Sequence, residues 1–299
     1  MTSITFVDQA SARVGRPAAP DLPLAEKQAR VIAQLHEVGS VLVAFSGGVD
    51  SALVLAVAVQ TLGRDRVLAA TAVSPSLPSW ELEATQHFAR EAGATHELVH
   101  THEMDDPNYA RNAPDRCYFC KTELYDLLVP LAAARGLRAV LNGLNWDDLG
   151  DYRPGARAGV ERGILSPLKD AGIGKAEVRA WAQELGLSVW DKPALACLSS
   201  RIPYGTPVTL EALRMIDAAE RVLREAGFRQ IRVRHHGNLA RIEVAPDELA
   251  RAFEQRALID EGVRAAGYLY VTLDLRGYRS GSLNDALTRP KPTSLHHAN

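Results

Sequence analysis

The segment Val41-Leu-Val-Ala-Phe-Ser-Gly-Gly-Val-Asp-Ser-Ala-Leu-Val-Leu55 constrains the fold more than any other stretch of the chain. Its apolar, β-branched start reads as a buried strand, Ser46-Gly47-Gly48 as a turn, and the Ala/Leu/Val-rich continuation as a helix. A strand that feeds a helix through glycines leaves the first helical N–H groups and the positive dipole end open to a polyphosphate. Gly47 and Gly48 let the backbone approach an anion closely because neither carries a Cβ. Ser46 and Ser51 can donate hydroxyl hydrogen bonds, and Asp50 is placed to hold Mg²⁺ beside the phosphates. The segment has no Gly-Lys-Ser/Thr, so it is not the Walker loop, which grips the β- and γ-phosphates with a lysine.

Periodicity predicts a first amphipathic helix over 22–38, then strands over 41–45, 67–73, 96–100 and 138–142. Helices after Gly48, over 78–92 and over 115–135 (which contains Cys117 and Cys120) separate those strands, and another follows over 174–186. This alternation predicts an α/β fold with a doubly wound parallel sheet, ligands sitting at the carboxyl ends of its strands. The pattern changes near Pro203-Tyr-Gly-Thr-Pro207. Helix 209–226, strands 230–235 and 239–244 about a His236-Gly-Asn238 turn, helix 246–257 and strand 267–275 predict a smaller α+β domain. The expected organisation is a disordered leader over 1–20, a nucleotide domain over 21–206, a substrate-binding or oligomerisation domain over 207–280 and a tail over 281–299.

Composition narrows the class of function. With 299 residues and 46% hydrophobic content the chain can bury a sizeable core. No apolar run reaches the roughly 18 residues needed to span a bilayer, and no signal peptide is evident. A net charge of −2, from 34 basic and 36 acidic residues, lacks the basic excess of a nucleic-acid binder. Three cysteines are too few for a disulfide framework and point to a reducing cytoplasm.

A second polar cluster, Asn142-Gly-Leu-Asn-Trp-Asp-Asp-Leu-Gly-Asp-Tyr-Arg-Pro-Gly155, follows the strand over 138–142 and faces the same crevice. Gly143 and Asn145 can border a nucleotide, and Asp147, Asp148 and Asp151 can bind magnesium or orient Arg153; the alternative is an acidic surface loop. Lys169 in Ser166-Pro-Leu-Lys169 is a phosphate contact or a solvated lysine. Cys117 and Cys120, three apart at a helix start, can face one point, and Cys197 lies far along the chain. Three thiolates can hold a [4Fe–4S] cluster with one iron open, zinc would need a histidine as fourth ligand, and three buried apolar cysteines remain the bland alternative. In Gln230-Ile-Arg-Val-Arg-His235, alternation puts Ile231 and Val233 on one face and Arg232 and Arg234 on the other. The arginine face is either a fork for phosphate or carboxylate, or a solvated sheet face.

Ser46-Gly-Gly-Val-Asp-Ser51 resembles the pyrophosphate loop of enzymes that split ATP into AMP and pyrophosphate. Together with the Asn142–Gly155 string, Ser166-Pro-Leu168, Asp191-Lys-Pro193 and Cys197-Leu-Ser-Ser-Arg-Ile-Pro-Tyr-Gly205, it resembles the LarE sulfur transferases over about residues 22–275. The resemblance implies an adenine nucleotide alpha hydrolase-like fold and ATP-dependent adenylation of pyridinium-3,5-biscarboxylic acid mononucleotide. Sulfur then displaces AMP, giving a thiocarboxylate in nickel-pincer nucleotide cofactor synthesis. It implies Arg201, Arg232 and Arg234 as ligands of the substrate's phosphate and carboxylate groups, with Glu220 and Glu243 orienting these arginines or helping to position substrate. It also implies homo-oligomers and contact with other proteins of that synthesis. Single-cysteine members give up the sulfur of a residue resembling Cys197. Cys117 and Cys120 instead resemble the three-cysteine branch, in which a [4Fe–4S] cluster carries the sulfide. The competing readings are tRNA thiolation, which predicts a basic RNA surface, and an ATP sensor without turnover.

Overall fold

The structure, a computed structural model, describes residues 21–150, 154–193, 196–279 and 282. The leader, Asp151, Arg153 and all of the expected tail but Ser282 lie outside the described residues.

Helix α1 (Leu24–Val38) leads into β1 (Val41–Ala44), α2 (Val49–Leu62), β2 (Val67–Val73), α3 (Ser79–Glu91) and β3 (Thr95–His100). Then come α4 (Pro107–Ala110), α5 (Arg116–Ala134), β4 (Ala139–Leu141), α6 (Pro154–Glu161), α7 (Pro167–Asp170) and α8 (Lys175–Glu184). The four strands form one parallel sheet in the order β3-β2-β1-β4. Central β1 is buried on both faces, as a continuous apolar run in a parallel sheet must be. Val41 and Val43 pack toward Val31, Leu35, Leu53 and Trp181 of α1, α2 and α8. Leu42 packs toward Leu124 and Leu128 of α5 and Ala158 of α6. The chain winds outward from β1 to β3 and then returns to β4, so the direction reverses between β1 and β4. Beyond the carboxyl ends of those two strands lies the crevice where doubly wound sheets take ligands.

The second sheet contains β5 (Ile231–His236), β6 (Leu239–Val244) and β7 (Tyr270–Leu273), in that order. The β5–β6 pair is an antiparallel hairpin about Gly237-Asn238, and β7 joins β6 in parallel. Helix α9 (Leu210–Glu225) covers it, with Ala219 and Leu223 against Ile231, Val233 and Ile242. The single helix expected over 246–257 is instead a short turn and α10 (Leu249–Glu254), broken at Gln255 and followed by α11 (Arg256–Ala265). Ile259 and Val263 of α11 are buried in the same core, and that amphipathic segment had no assignment from sequence. A separate cluster of Tyr109, Leu198, Ile202, Val208, Leu213 and Ile216 joins α4, the segment after Cys197 and α9.

Candidate active site

The Ser46–Ser51 turn closes on itself. Ser51 Oγ receives the Ser46 N–H at 3.2 Å and lies 3.1 Å from both Ser46 Oγ and the Gly48 carbonyl. Ser51 is thereby a tie within the turn, while Ser46 stays exposed. Gly47 has two separate reasons to be glycine: its φ is +77°, and a Cβ there would stand 2.5 Å from Thr85 Cγ2. Gly48 is extended, and a Cβ on it would meet only Ser46 Oγ at an ordinary 3.6 Å, so close approach alone recommends glycine there. Gly48 at the N-cap has no side chain to cap α2, which turns the N–H groups and dipole end of its first turn toward an anion.

Past β4, Gly143 presses on this turn: a Cβ on it would come 2.6 Å from the Ser51 nitrogen. Asn145 is fully buried and donates from Nδ2 to Asp50 Oδ1 at 2.8 Å, so it reaches the crevice through Asp50 and has no surface of its own to border a nucleotide. Burial holds the Asp50 carboxyl above its usual range, the Asn145 hydrogen bond opposes that, and the nearby Asp148 charge adds to it. Asp147 turns away, accepting the Lys175 N–H at 2.6 Å at the start of α8, while Asp148 pairs with Lys175 Nζ at 3.2 Å. The acidic loop is therefore largely committed to α8, and Asp50 is the carboxylate on the turn itself. Lys169 pairs with Asp170 at 3.0 Å, and its N–H donates to the Leu144 carbonyl, which sets it beside Asn145.

Lys192 had no role assigned from sequence. Its ammonium donates to the Gly47 carbonyl at 3.0 Å and to buried Glu81 at 2.8 Å. The Asp191-Lys-Pro193 string was the available signal. Five residues further on, Cys197 can lie no more than about 18 Å from it by chain reach.

The Cys197 segment is pinned against the start of α5. Arg116 donates to the Ser199 carbonyl at 2.9 Å and to Asn112 Oδ1, and Tyr109 Oη lies 2.6 Å from Ser199 Oγ. Asn112 is fully buried and, among the described residues, the one non-glycine with positive φ, at 56°. Its amide lies 3.3, 2.9 and 2.8 Å from the carbonyls of Ile202, Pro203 and Thr206. Burial pushes the Cys120 thiol up to about 12, against the pull of Lys121, and the Cys117 and Cys197 charges add to it. Cys117 is exposed as a residue, but its sulfur lies among protein atoms; burial and then Cys197 raise its thiol. The three thiols thus share one neighbourhood. Among the described residues no three Cys, His, Asp or Glu side chains stand in a ready metal-ligating group. Cysteine sulfur is the donor chemistry a thiolate-held cluster uses; burial disfavours the thiolates of Cys117 and Cys120, and the Lys121 charge opposes that at both.

The arginines are not solvated. Arg201 is fully buried and holds Glu220, also fully buried, through Nε and Nη2, each at 2.8 Å. Its Nη1 donates to the Ala196 and Cys197 carbonyls. Arg201, expected as a substrate ligand, has no exposed surface here, and its donors go to Glu220 and to the backbone at Cys197. Arg234 makes the same fork with Glu243, at 3.0 and 2.8 Å, and adds the Ser200 carbonyl and Ser282 Oγ. Glu220 and Glu243 thus each hold one arginine. Arg232 lies over the Tyr278 ring, and burial followed by the Arg201 charge lowers its pKa to about 10.

A parallel sheet whose β1 ends in an uncapped glycine turn, with a strand-end carboxamide on its aspartate, defines a pyrophosphate-loop ATPase domain. The asparagine synthase family model matches residues 28–144, which holds that turn and β1 to β4. An uncharacterized protein of Synechocystis is 53% identical over 85% of this chain and 95% of its own length. The pyridinium-3,5-bisthiocarboxylic acid mononucleotide synthase of Lactiplantibacillus plantarum is 41% identical over 89% of this chain and 96% of its own. An uncharacterized protein of Methanocaldococcus jannaschii is 30% identical over 80% and 91%. The chain belongs to the LarE family.

Proposed function

We propose that the protein is an ATP-dependent sulfur transferase acting on pyridinium-3,5-biscarboxylic acid mononucleotide in nickel-pincer nucleotide cofactor synthesis. The observation that carries this reading is the single run of chain from Lys192, on the nucleotide turn, to Cys197, beside the other two cysteines. The N–H groups at the start of α2 hold the polyphosphate. A substrate carboxylate oxygen attacks the α-phosphorus, the bond to the bridging oxygen breaks, and pyrophosphate leaves. Asp50, held by Asn145, would bind Mg²⁺, which neutralises charge on the departing pyrophosphate. Lys169 reaches phosphate from the β4 side, and Arg232 receives the substrate's phosphate or carboxylate. A sulfur nucleophile then displaces AMP and leaves a thiocarboxylate.

Cys117, Cys120 and Cys197 would hold a [4Fe–4S] cluster, which supplies transferable sulfide when bound. The shared neighbourhood of the three thiols supports this over donation of the Cys197 sulfur itself. Anaerobic assay of AMP and pyrophosphate, with and without the pyridinium mononucleotide, tests the reaction. Release that ignores the mononucleotide would sink it. Intact mass after turnover separates the sulfur sources: unchanged for the cluster, about 34 Da lighter if Cys197 loses H₂S.

A further inference from the structure

The nucleotide turn has no lysine in its own sequence, yet a lysine 145 residues away is bonded to it. We propose that Lys192 is the phosphate-binding lysine of this turn, parked on Glu81 and the Gly47 carbonyl until a triphosphate arrives. This assignment rests on the ATP reading above and deepens it.

An ammonium has three donors. Two are spent, on the Gly47 carbonyl at 3.0 Å and on Glu81 Oε2 at 2.8 Å. The third has no partner among the described residues. The Lys192 side chain is 19% exposed and that of Glu81 4%, so the lysine is the more accessible member of the pair. The lysine backbone is fixed first. Arg179 of α8 donates to the carbonyls of Trp190 and Lys192 at 2.9 and 2.8 Å, and the Lys192 N–H reaches the Val189 carbonyl at 3.0 Å. The ammonium is therefore delivered to one place. A Cβ on Gly47 would stand 3.5 Å from Glu81 Oε2 and 3.8 Å from Lys192 Nζ, so both charges lie against the turn that faces the phosphates.

Charge explains why the two groups come as a pair. A bare carboxylate against an anion site repels the anion, and at this depth that repulsion is poorly screened. Lys192 covers Glu81, and the same ammonium offers its last N–H to a phosphate oxygen. AMP has no β- or γ-phosphate and meets neither effect in full.

Titration calorimetry on the full chain, without the acid substrate, tests this with ATP, pyrophosphate and AMP as separate probes. Lys192→Met should weaken ATP and pyrophosphate binding about 10- to 100-fold and AMP by no more than about twofold. Lys192→Arg should recover most of the ATP affinity. Glu81→Gln, which removes the repulsive charge, should bind ATP as tightly as the native chain or more so. Equal ATP affinity in Lys192→Met overturns the assignment. So does an equal loss of AMP and ATP, or a loss in Glu81→Gln matching that in Lys192→Met, because each marks the pair as a strut of the turn. A native chain that binds no ATP overturns the nucleotide reading itself, and this proposal with it.

Discussion

The nucleotide turn and the arginine face of the second sheet are both anion-binding by residue type, and they are built in opposite ways. The turn is made of backbone. Its donors are the N–H groups at the start of α2, fixed by a strand end, one left-handed glycine and the Ser46–Ser51 tie. No counter-charge is needed to keep them there. The arginine face is made of side chains, and a buried guanidinium is tolerated only with a partner. Arg201 and Arg234 are accordingly forked onto Glu220 and Glu243, which come from α9 and from the neighbouring strand. A backbone site keeps its donors for a ligand, whereas a side-chain site of the same formal charge can spend them within the protein.

Four measurements break or sharpen that contrast. The largest effect should come from the arginine side: Glu220→Ala strands a fully buried Arg201, so the unfolding free energy should fall by about 3–5 kcal/mol. A urea midpoint that hardly moves would show that packing, not the pair, holds the Cys197 segment. On the turn the loss should be catalytic. Asp50→Ala should lower AMP formation at least ~100-fold, or about 2.7 kcal/mol of barrier, with little change in the urea midpoint. Near-native turnover would remove Asp50 from the nucleotide site. Gly143→Ala joins the two kinds of effect, because its Cβ would sit 2.6 Å from the Ser51 nitrogen and must displace the turn. It should cost about 1–3 kcal/mol of stability and weaken ATP binding in step; tight ATP binding by a destabilised variant would separate the two.

The smallest effect is on pH. Burial, and then the His236 charge, hold buried His235 below its usual pKa while its Nδ1 lies 3.0 Å from Tyr268 Oη. The neutral ring is the folded form, so its contribution is complete above about pH 6.5 and is lost as pH falls toward the depressed folded value. The urea midpoint should decline below pH 6.5, by at most about 1.4 kcal/mol per pH unit for this one proton, and His235→Phe should flatten the decline. An unchanged slope in that variant would assign it to His96 or His236, which burial also lowers.

What was legible in the sequence divides along the same line. β2 was read residue for residue, and β1 and the β5–β6 hairpin fell within one or two positions, because each carries its own period and its own turn residues. The helix break at Gln255 was not legible: nothing at the break is Pro or Gly, and both α10 and α11 place residues in the same core. At the site, Ser46–Ser51 could be located from local chemistry alone. The burial of Arg201, the turning of Asp147 to α8 and the arrival of Lys192 at Gly47 are contacts between distant segments, with separations of 19, 28 and 145 residues. Residue type told that charges were present, and only the fold told which were already matched.

Asn112 limits the alphabet of this chain at one position. Its left-handed backbone admits glycine, asparagine or aspartate at modest cost. The three carbonyls around its amide require an N–H donor, which removes glycine and aspartate. Asparagine meets both demands with one short side chain. Replacing it frees the carbonyls of the stretch after Cys197, so this single site bears on the shape of a loop ninety positions away.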